Sequence, residues 1–60
     1  MPLVHIYMAE GRSEEQKREM VRRVAQVIRE TINPRSSIEI VVHEIPRQNI
    51  AIDGKTLAEM

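Results

Sequence analysis

The sequence predicts an α+β fold: a single β-α-β unit with parallel strands, followed by a short C-terminal β-hairpin. Two stretches, residues 3–8 and 38–45, are rich in apolar and β-branched residues, and the stretch between them carries apolar residues at helical spacing. Residues 50–55 contain Asp53-Gly54, a two-residue hairpin signal. A strand, a helix and a strand place the two strands parallel with a right-handed crossover, and residues 1–60 are expected to form one domain.

The first strand, residues 3–8, is apolar on both faces apart from His5. Continuous apolarity indicates a strand that is covered on two sides. In so short a chain the second cover has to come from another subunit. His5 is therefore interpreted as a residue of the sheet or of an interface, and His5 and His43 stand too isolated to form a convincing metal set.

The helix is predicted to begin at a capping box, in which the Ser13 hydroxyl accepts from the Gln16 N–H and the Gln16 side chain reaches back. Two charge pairs with supportive i,i+4 order follow, Glu14/Arg18 and Glu19/Arg23. Asn33-Pro34 ends the helix because proline disfavours helical geometry in the residue before it. Beyond the second strand, Pro46 closes the sheet, residues 47–49 are predicted as a loop, and residues 56–60 as a tail that can pack against a neighbour.

Size and composition favour self-association. A chain of sixty residues buries only about 60% of its unfolded surface, and small domains usually add disulfides, a metal or oligomerisation. Cysteine is absent, and Tyr7 is the only aromatic residue. Nine basic and nine acidic residues give zero formal charge, so neither nucleic acid nor a membrane is expected as a partner. No signal peptide or membrane span is evident, and the expected location is cytoplasmic.

The chain opens with Met1-Pro2, and two interpretations of this pair are open. Removal of an initiator methionine before a small residue would expose a secondary amine. An N-terminal amine that ionises near neutrality can take a proton from a carbon acid and return it elsewhere. Alternatively Pro2 simply starts a strand, where its missing N–H does no harm. Taken alone, the pair favours this second interpretation.

Together, Met1-Pro2, the apolar strand and the run Glu10-Gly11-Arg12-Ser13-x-Glu15-Gln16-Lys17 resemble the 4-oxalocrotonate tautomerase family of the tautomerase superfamily. The similarity spans essentially the whole chain, and the Gly-Arg-Ser/Thr-x-x-Gln-Lys stretch in register with the proline carries it. The resemblance implies an isomerase: a cofactor-free keto–enol tautomerase of 2-hydroxydienoates or related enol and α-keto acids, with no metal. It also implies a place in the catabolism of aromatic compounds.

The same resemblance implies roles for two residues. Pro2, after removal of Met1, would be the general base and then the acid, and Arg12 would hold the substrate carboxylate from a neighbouring subunit. The planar guanidinium of arginine suits a carboxylate. The resemblance further implies dimers that join their sheets into four strands, and a homohexamer built of three dimers.

Two positions depart from the family pattern. Well-studied members have a second arginine early in the second strand, which polarises the keto oxygen, and this chain has Glu39 there. Those members also place an aromatic residue before a Gly-Ile-Gly-Gly hairpin. Here the stretch reads Ile50-Ala51-Ile52-Asp53-Gly54, in which Ile50 can supply an apolar wall but no ring. These changes leave a tautomerase as the expected activity and make a preference for diacids doubtful.

Other functions stay open on the sequence alone. A hydratase or dehalogenase of the same superfamily would need a protonated Pro2 and a carboxylate that activates water, for which Glu39 and Asp53 are candidates. A non-catalytic oligomerising subunit, whose partner chain supplies the missing arginine, is an alternative of a different class. A small DNA-binding dimer is disfavoured by the neutral charge and the apolar first strand.

Overall fold

The computed structural model describes all residues, 1–60. Its elements are, in order, β1 (Leu3–Ala9), α1 (Glu14–Thr31), β2 (Glu39–Ile45), β3 (Ala51–Ile52) and β4 (Lys55–Thr56). β1 and β2 form a parallel pair, and β3 and β4 form a separate antiparallel pair. The β-α-β unit with a C-terminal hairpin that the sequence predicts is confirmed.

The start of α1 is fixed by the predicted capping box. The Gln16 N–H donates to the Ser13 hydroxyl at 3.1 Å, and the Ser13 N–H donates to the Gln16 side-chain carbonyl at 3.1 Å. The helix ends at Thr31, where the Ile32 N–H still donates to the Ile28 carbonyl. Asn33 then adopts a positive φ of 48°, which breaks the helical path immediately before Pro34.

The sheet has one face toward the helix and one open face. Along β1 the exposure alternates: Val4, Ile6 and Met8 are partly buried, whereas Leu3, His5 and Tyr7 are exposed. The register joins Met8 to Glu44, and the Glu44 carboxylate accepts a hydrogen bond from Lys17 of α1. The even-numbered face is therefore the one that α1 covers. Nothing in the chain buries the face that carries Leu3, His5 and Tyr7.

The C-terminal part is more regular than predicted. Residues 47–49, predicted as a loop, form a single 3-10 turn in which the Asn49 N–H donates to the Pro46 carbonyl at 2.8 Å. The predicted tail forms a second 3-10 turn at Leu57–Glu59, because the Glu59 carboxylate accepts from the backbone N–H of Thr56. The hairpin turn between these has positive φ values at Asp53 and Gly54, the conformation that Asp-Gly favours.

A single chain has no enclosed core. None of its residues is buried, and its accessible surface is 4842 Å², against about 4,000 Å² for a compact protein of its mass. The radius of gyration is 14.7 Å, where a compact chain of this length has about 10 Å. The longest dimension is 45 Å. No helix is both long and apolar enough to cross a membrane.

Candidate active site

Pro2 and Glu39 lie together at the end of the sheet where both strands begin. The Glu39 N–H donates to the Pro2 carbonyl at 3.0 Å, and Glu39 stands in register with Leu3. This hydrogen bond holds the backbone of Pro2 against the start of β2. The Glu39 side chain is exposed on the open face of the sheet, whereas Ile38 and Ile40 are partly buried beside the helix.

Arg12 and Ile50 lie beyond the opposite end of the sheet, where both strands end. Arg12 lies in the turn after β1, and Ile50 follows β2 and the first 3-10 turn. The Ile50 carbonyl accepts from the Leu57 N–H at 2.9 Å, which ties Ile50 to the last turn of the chain. Because a strand advances about 3.3 Å per residue, β1 separates Pro2 from the Arg12 turn by roughly 25 Å. One chain therefore cannot bring Pro2 and Arg12 into contact with one small substrate.

The guanidinium of Arg12 is exposed and takes part in none of the salt bridges of the chain. The neighbouring cation, Lys17, is already neutralised: its ammonium lies 2.7 Å from Glu14 and 2.5 Å from Glu44. The hydrogen bond to Glu14 is the largest cause that raises the pKa of Lys17, and the hydrogen bond to Glu44 is the next largest. The contact with Lys17 in turn lowers the pKa of the Glu14 carboxyl. Arg12 is thus left free to bind an external anion.

Arg12 borders a small open groove. The groove has a volume of about 230 Å³ and is lined by Met8, Arg12, Gln16, Lys17 and Met20. It is smaller than the roughly 300–1,000 Å³ typical of small-molecule sites. Larger grooves, of 620 and 690 Å³, run along α1, but Pro2 lines none of the grooves on the chain. A single chain therefore offers no pocket around the candidate base.

The larger grooves are bordered by a solvated charge network on the exposed side of α1. Glu19 accepts hydrogen bonds from Arg22 and from Arg23, the latter at 2.8 Å. These hydrogen bonds, of which the one from Arg22 has the larger effect, lower the pKa of Glu19 to about 2. Arg22 and Arg23 are thus matched by a carboxylate, whereas Arg18, which also lines the 620 Å³ groove, is exposed and in no salt bridge.

Sequence reasoning missed one cluster, the histidine pair. His5 and His43, described above as isolated, are hydrogen-bonded: His5 Nδ1 lies 2.7 Å from His43 Nε2. The Tyr7 ring stacks on His43, with 4.3 Å between centroids and 9° between planes. The strand register would have revealed the pair, because parallel in-phase strands put residues 5, 7 and 43 on one face. No group of three or more His, Cys, Asp or Glu residues is placed to hold a metal ion.

Comparison with known proteins agrees with this fold and sequence pattern. Residues 2–60 match the family model described as tautomerase enzyme. A curated 2-hydroxymuconate tautomerase from Comamonas testosteroni is 36% identical over 61 residues, covering 100% of this chain and 97% of that protein.

Solved structures give the same result. The crystal structure of YwhB, a homologue of 4-oxalocrotonate tautomerase, matches with a TM-score of 0.85 and 35% identity, covering 98% of each chain. The heterohexamer 4-oxalocrotonate tautomerase from Chloroflexus aurantiacus J-10-fl matches with a TM-score of 0.88 and 31% identity, covering 100% of this chain and 98% of that chain. The chain therefore belongs to the tautomerase family of isomerases, as its Met1-Pro2 start and its Gly-Arg-Ser motif predicted.

Proposed function

We propose that this protein is a cofactor-free keto–enol tautomerase of 2-hydroxydienoates or related enol and α-keto acids. Pro2, after removal of Met1, is the general base and acid. Arg12 of a neighbouring copy binds the substrate carboxylate, and Ile50 provides an apolar wall. The observation that carries the proposal is the unpaired Arg12 guanidinium in a chain that matches the tautomerase family from residue 2 onward.

The reaction needs only one group that accepts and returns a proton. The Pro2 nitrogen takes the proton of the substrate 2-hydroxyl, and the electron pair of that O–H bond forms the keto C=O. The diene shifts, and a distant carbon takes a proton back from the Pro2 ammonium. No electrons are exchanged with a third component, so the chemistry requires no redox cofactor. Arg12 holds the carboxylate in place during the shift.

The proposed site requires assembly of several chains, because Pro2 and Arg12 lie at opposite ends of one sheet. We extend the proposal to a homo-oligomer in which dimers join their sheets into four strands and three dimers form a hexamer. The lack of any buried residue supports association of some kind. The Chloroflexus aurantiacus relative is a heterohexamer, and a non-catalytic role beside a second type of chain would need such a partner.

The decisive experiment compares three forms of the protein: the form with a free Pro2 amine, a form that retains Met1, and Pro2→Ala. Intact mass establishes which N-terminus each carries. We expect enol ketonisation to fall by about 10²-fold or more in both altered forms, within the range of general acid–base catalysis. Undiminished activity in protein that retains Met1 would rule out the amine as base, because its Pro2 nitrogen is an amide.

The role of Arg12 is tested alongside. Arg12→Ala should raise KM for carboxylate substrates and leave thermal stability nearly unchanged, because the side chain is exposed and unpaired. Arg18→Ala is the matched control, since Arg18 is also exposed and in no salt bridge. Equal effects of the two substitutions on KM would mean that Arg12 contributes only general positive charge.

A second candidate, a hydratase, is favoured by one observation. The Glu39 N–H donates to the Pro2 carbonyl, so the residue of β2 that pairs with the Pro2 backbone carries a carboxylate. A nearby carboxylate favours the protonated form of an amine, which is the form that hydration would use. Mass spectrometry of the products separates the reactions, because hydration adds one water to the substrate and tautomerisation leaves its mass unchanged.

A further inference from the structure

The side chain of Lys17 lies between two grooves that border α1. The first groove, of about 230 Å³, is the one that Arg12 borders. The second groove has a volume of about 280 Å³, and its lining includes Glu14, Arg18 and Glu44. Lys17 lines both grooves. The position of its ammonium group therefore decides which groove receives its positive charge.

The ammonium of Lys17 is held on the side of the second groove. It lies 2.7 Å from a Glu14 carboxylate oxygen and 2.5 Å from a Glu44 carboxylate oxygen, and both glutamates line the second groove but not the first. Glu14 belongs to α1 and Glu44 to β2, so two elements fix the ammonium. Only 16% of the Lys17 side chain is exposed. A flexible lysine stem that would otherwise swing toward Arg12 is thus kept in one place.

The two grooves differ in how their charges are matched. The second groove carries two cations, Lys17 and Arg18, and two carboxylates, Glu14 and Glu44, so its charge is balanced. In the first groove, Arg12 is the one cation without a carboxylate partner. The remaining residues that line the first groove are uncharged: Met8, Gln16 and Met20. One unmatched cation attracts one carboxylate and offers no partner to a second.

We propose that Glu14 and Glu44 are specificity-determining residues: by holding the Lys17 charge away from the Arg12 groove, they make this groove select ligands with a single carboxylate. The inference rests on the proposed function, in which Arg12 binds the substrate carboxylate. A second carboxylate on the ligand finds no second cation beside Arg12, and it is repelled by the two glutamates. This selection acts at the Arg12 end of the sheet, so it is separate from any effect of Glu39.

The inference predicts the effect of making both glutamates neutral. With glutamine at positions 14 and 44, the Lys17 ammonium has no carboxylate beside it, and a ligand with two carboxylates meets two cations. The attraction between two unit charges about 4 Å apart in water corresponds to about a fivefold change in an equilibrium, which sets the size of the expected gain. Glutamine keeps the length of glutamate and one acceptor oxygen, so the fold should persist.

The test uses two unreactive probes, succinate and succinamate, which are similar in size and differ by one negative charge at about pH 7.5. The measurement is the NMR shift of the Arg12 side-chain N–H in the whole protein as each probe is added, which reports binding without turnover. We expect wild type to bind the two probes with affinities within about twofold of each other. The Glu14→Gln, Glu44→Gln double variant should favour succinate by at least about fivefold.

Two further variants separate the proposed cause from a general effect of charge. The Glu10→Gln, Glu15→Gln variant removes the same amount of negative charge from exposed residues that are in no salt bridge, and it should keep the wild-type ratio of affinities. Adding Lys17→Gln to the first double variant should abolish most of the gain, because the released ammonium is then absent.

An unchanged ratio in the Glu14→Gln, Glu44→Gln variant overturns the inference and leaves the proposed tautomerase intact. An equal gain in the Glu10→Gln, Glu15→Gln variant overturns it as well, and so does a gain that survives Lys17→Gln. If neither probe shifts the Arg12 signal in wild type, the proposed role of Arg12 falls together with the inference. If circular dichroism shows that the first double variant is unfolded, Glu44→Gln alone takes its place with the same criteria, since it leaves two cations against one carboxylate in the second groove.

Discussion

Glu39 begins β2, and its backbone holds Pro2 while its carboxylate stays exposed on the open face. If this carboxylate faces the substrate in the assembled site, its negative charge should repel a dianionic substrate. Two unit charges 4 Å apart interact by about 1 kcal/mol even in bulk water, which is about a fivefold change in an equilibrium. We therefore expect the wild-type protein to prefer monoacid enols over diacids.

The corresponding substitution is Glu39→Arg, which reverses the charge. It should raise kcat/KM for diacids by about fivefold or more and change monoacid turnover much less. Glu39→Gln, which removes the charge without reversing it, should give an intermediate ratio. Because the side chain is exposed, both variants should fold. An unchanged diacid-to-monoacid ratio would show that Glu39 does not face the substrate, and Arg35 or Arg47 would then be the next residues to test.

At the scale of the element, the charges on α1 connect its stability to pH. Glu19 bonds to Arg22 and Arg23, and these contacts lower the pKa of its carboxyl to about 2. A depressed pKa means that the contribution to stability is present above the ordinary pKa of the group, about 4.5, and is lost as pH falls toward about 2. Solvent screens the pair, so the effect is modest.

We expect Glu19→Gln to lower the free energy of unfolding at pH 7 and to leave it nearly unchanged at pH 2, so that the two unfolding curves converge in acid. The measurement is urea denaturation at several pH values. Glu15→Gln is the control, since Glu15 is exposed and in no salt bridge. Added salt at about 1 M should remove most of the difference. A constant difference from pH 7 to pH 2 would contradict the ionic explanation.

The helix also shows what sequence can and cannot predict. Its start follows from contacts within four residues, so Ser13 and Gln16 were predicted correctly. The Glu19/Arg23 pair is confirmed. Glu14 makes its salt bridge with Lys17, and Arg18 adds only a weaker attraction that lowers the pKa of the Glu14 carboxyl. Lys17 is drawn to that side by a carboxylate of β2, and such tertiary contacts are invisible to a rule about helix spacing.

The same limit applies to the site and the C-terminal turns. Pro2 and Arg12 are recognisable in the sequence, but only the length and direction of β1 show that they lie at opposite ends of the sheet. His5 and His43 are 38 residues apart, and only the strand register joins them. The 3-10 turn at Arg47–Asn49 was missed because such turns depend on one or two local hydrogen bonds and leave no periodic pattern.

At the scale of the whole molecule, a chain without buried residues gains its stability from partners. For the proposed site, this dependence on partner chains also has a consequence for activity. If Pro2 comes from one chain and Arg12 from another, two defective chains can repair each other. A chain with Pro2→Ala still carries a normal Arg12, and a chain with Arg12→Ala still carries a normal Pro2. Oligomers that contain both chains should therefore include some complete sites.

Co-expression of the Pro2→Ala and Arg12→Ala chains tests this. With random assembly from equal amounts, about a quarter of the sites take both normal residues, so activity should recover to about a quarter of the wild-type value. Pro2→Ala co-expressed with the Pro2→Ala, Arg12→Ala double variant is the control, because no complete site can form there. If mixed oligomers form, as native mass spectrometry would show, but activity stays at the level of the single variants, then Pro2 and Arg12 do not serve one site from different chains. Recovery above the control requires that they do, because no pairing within either chain contains both residues.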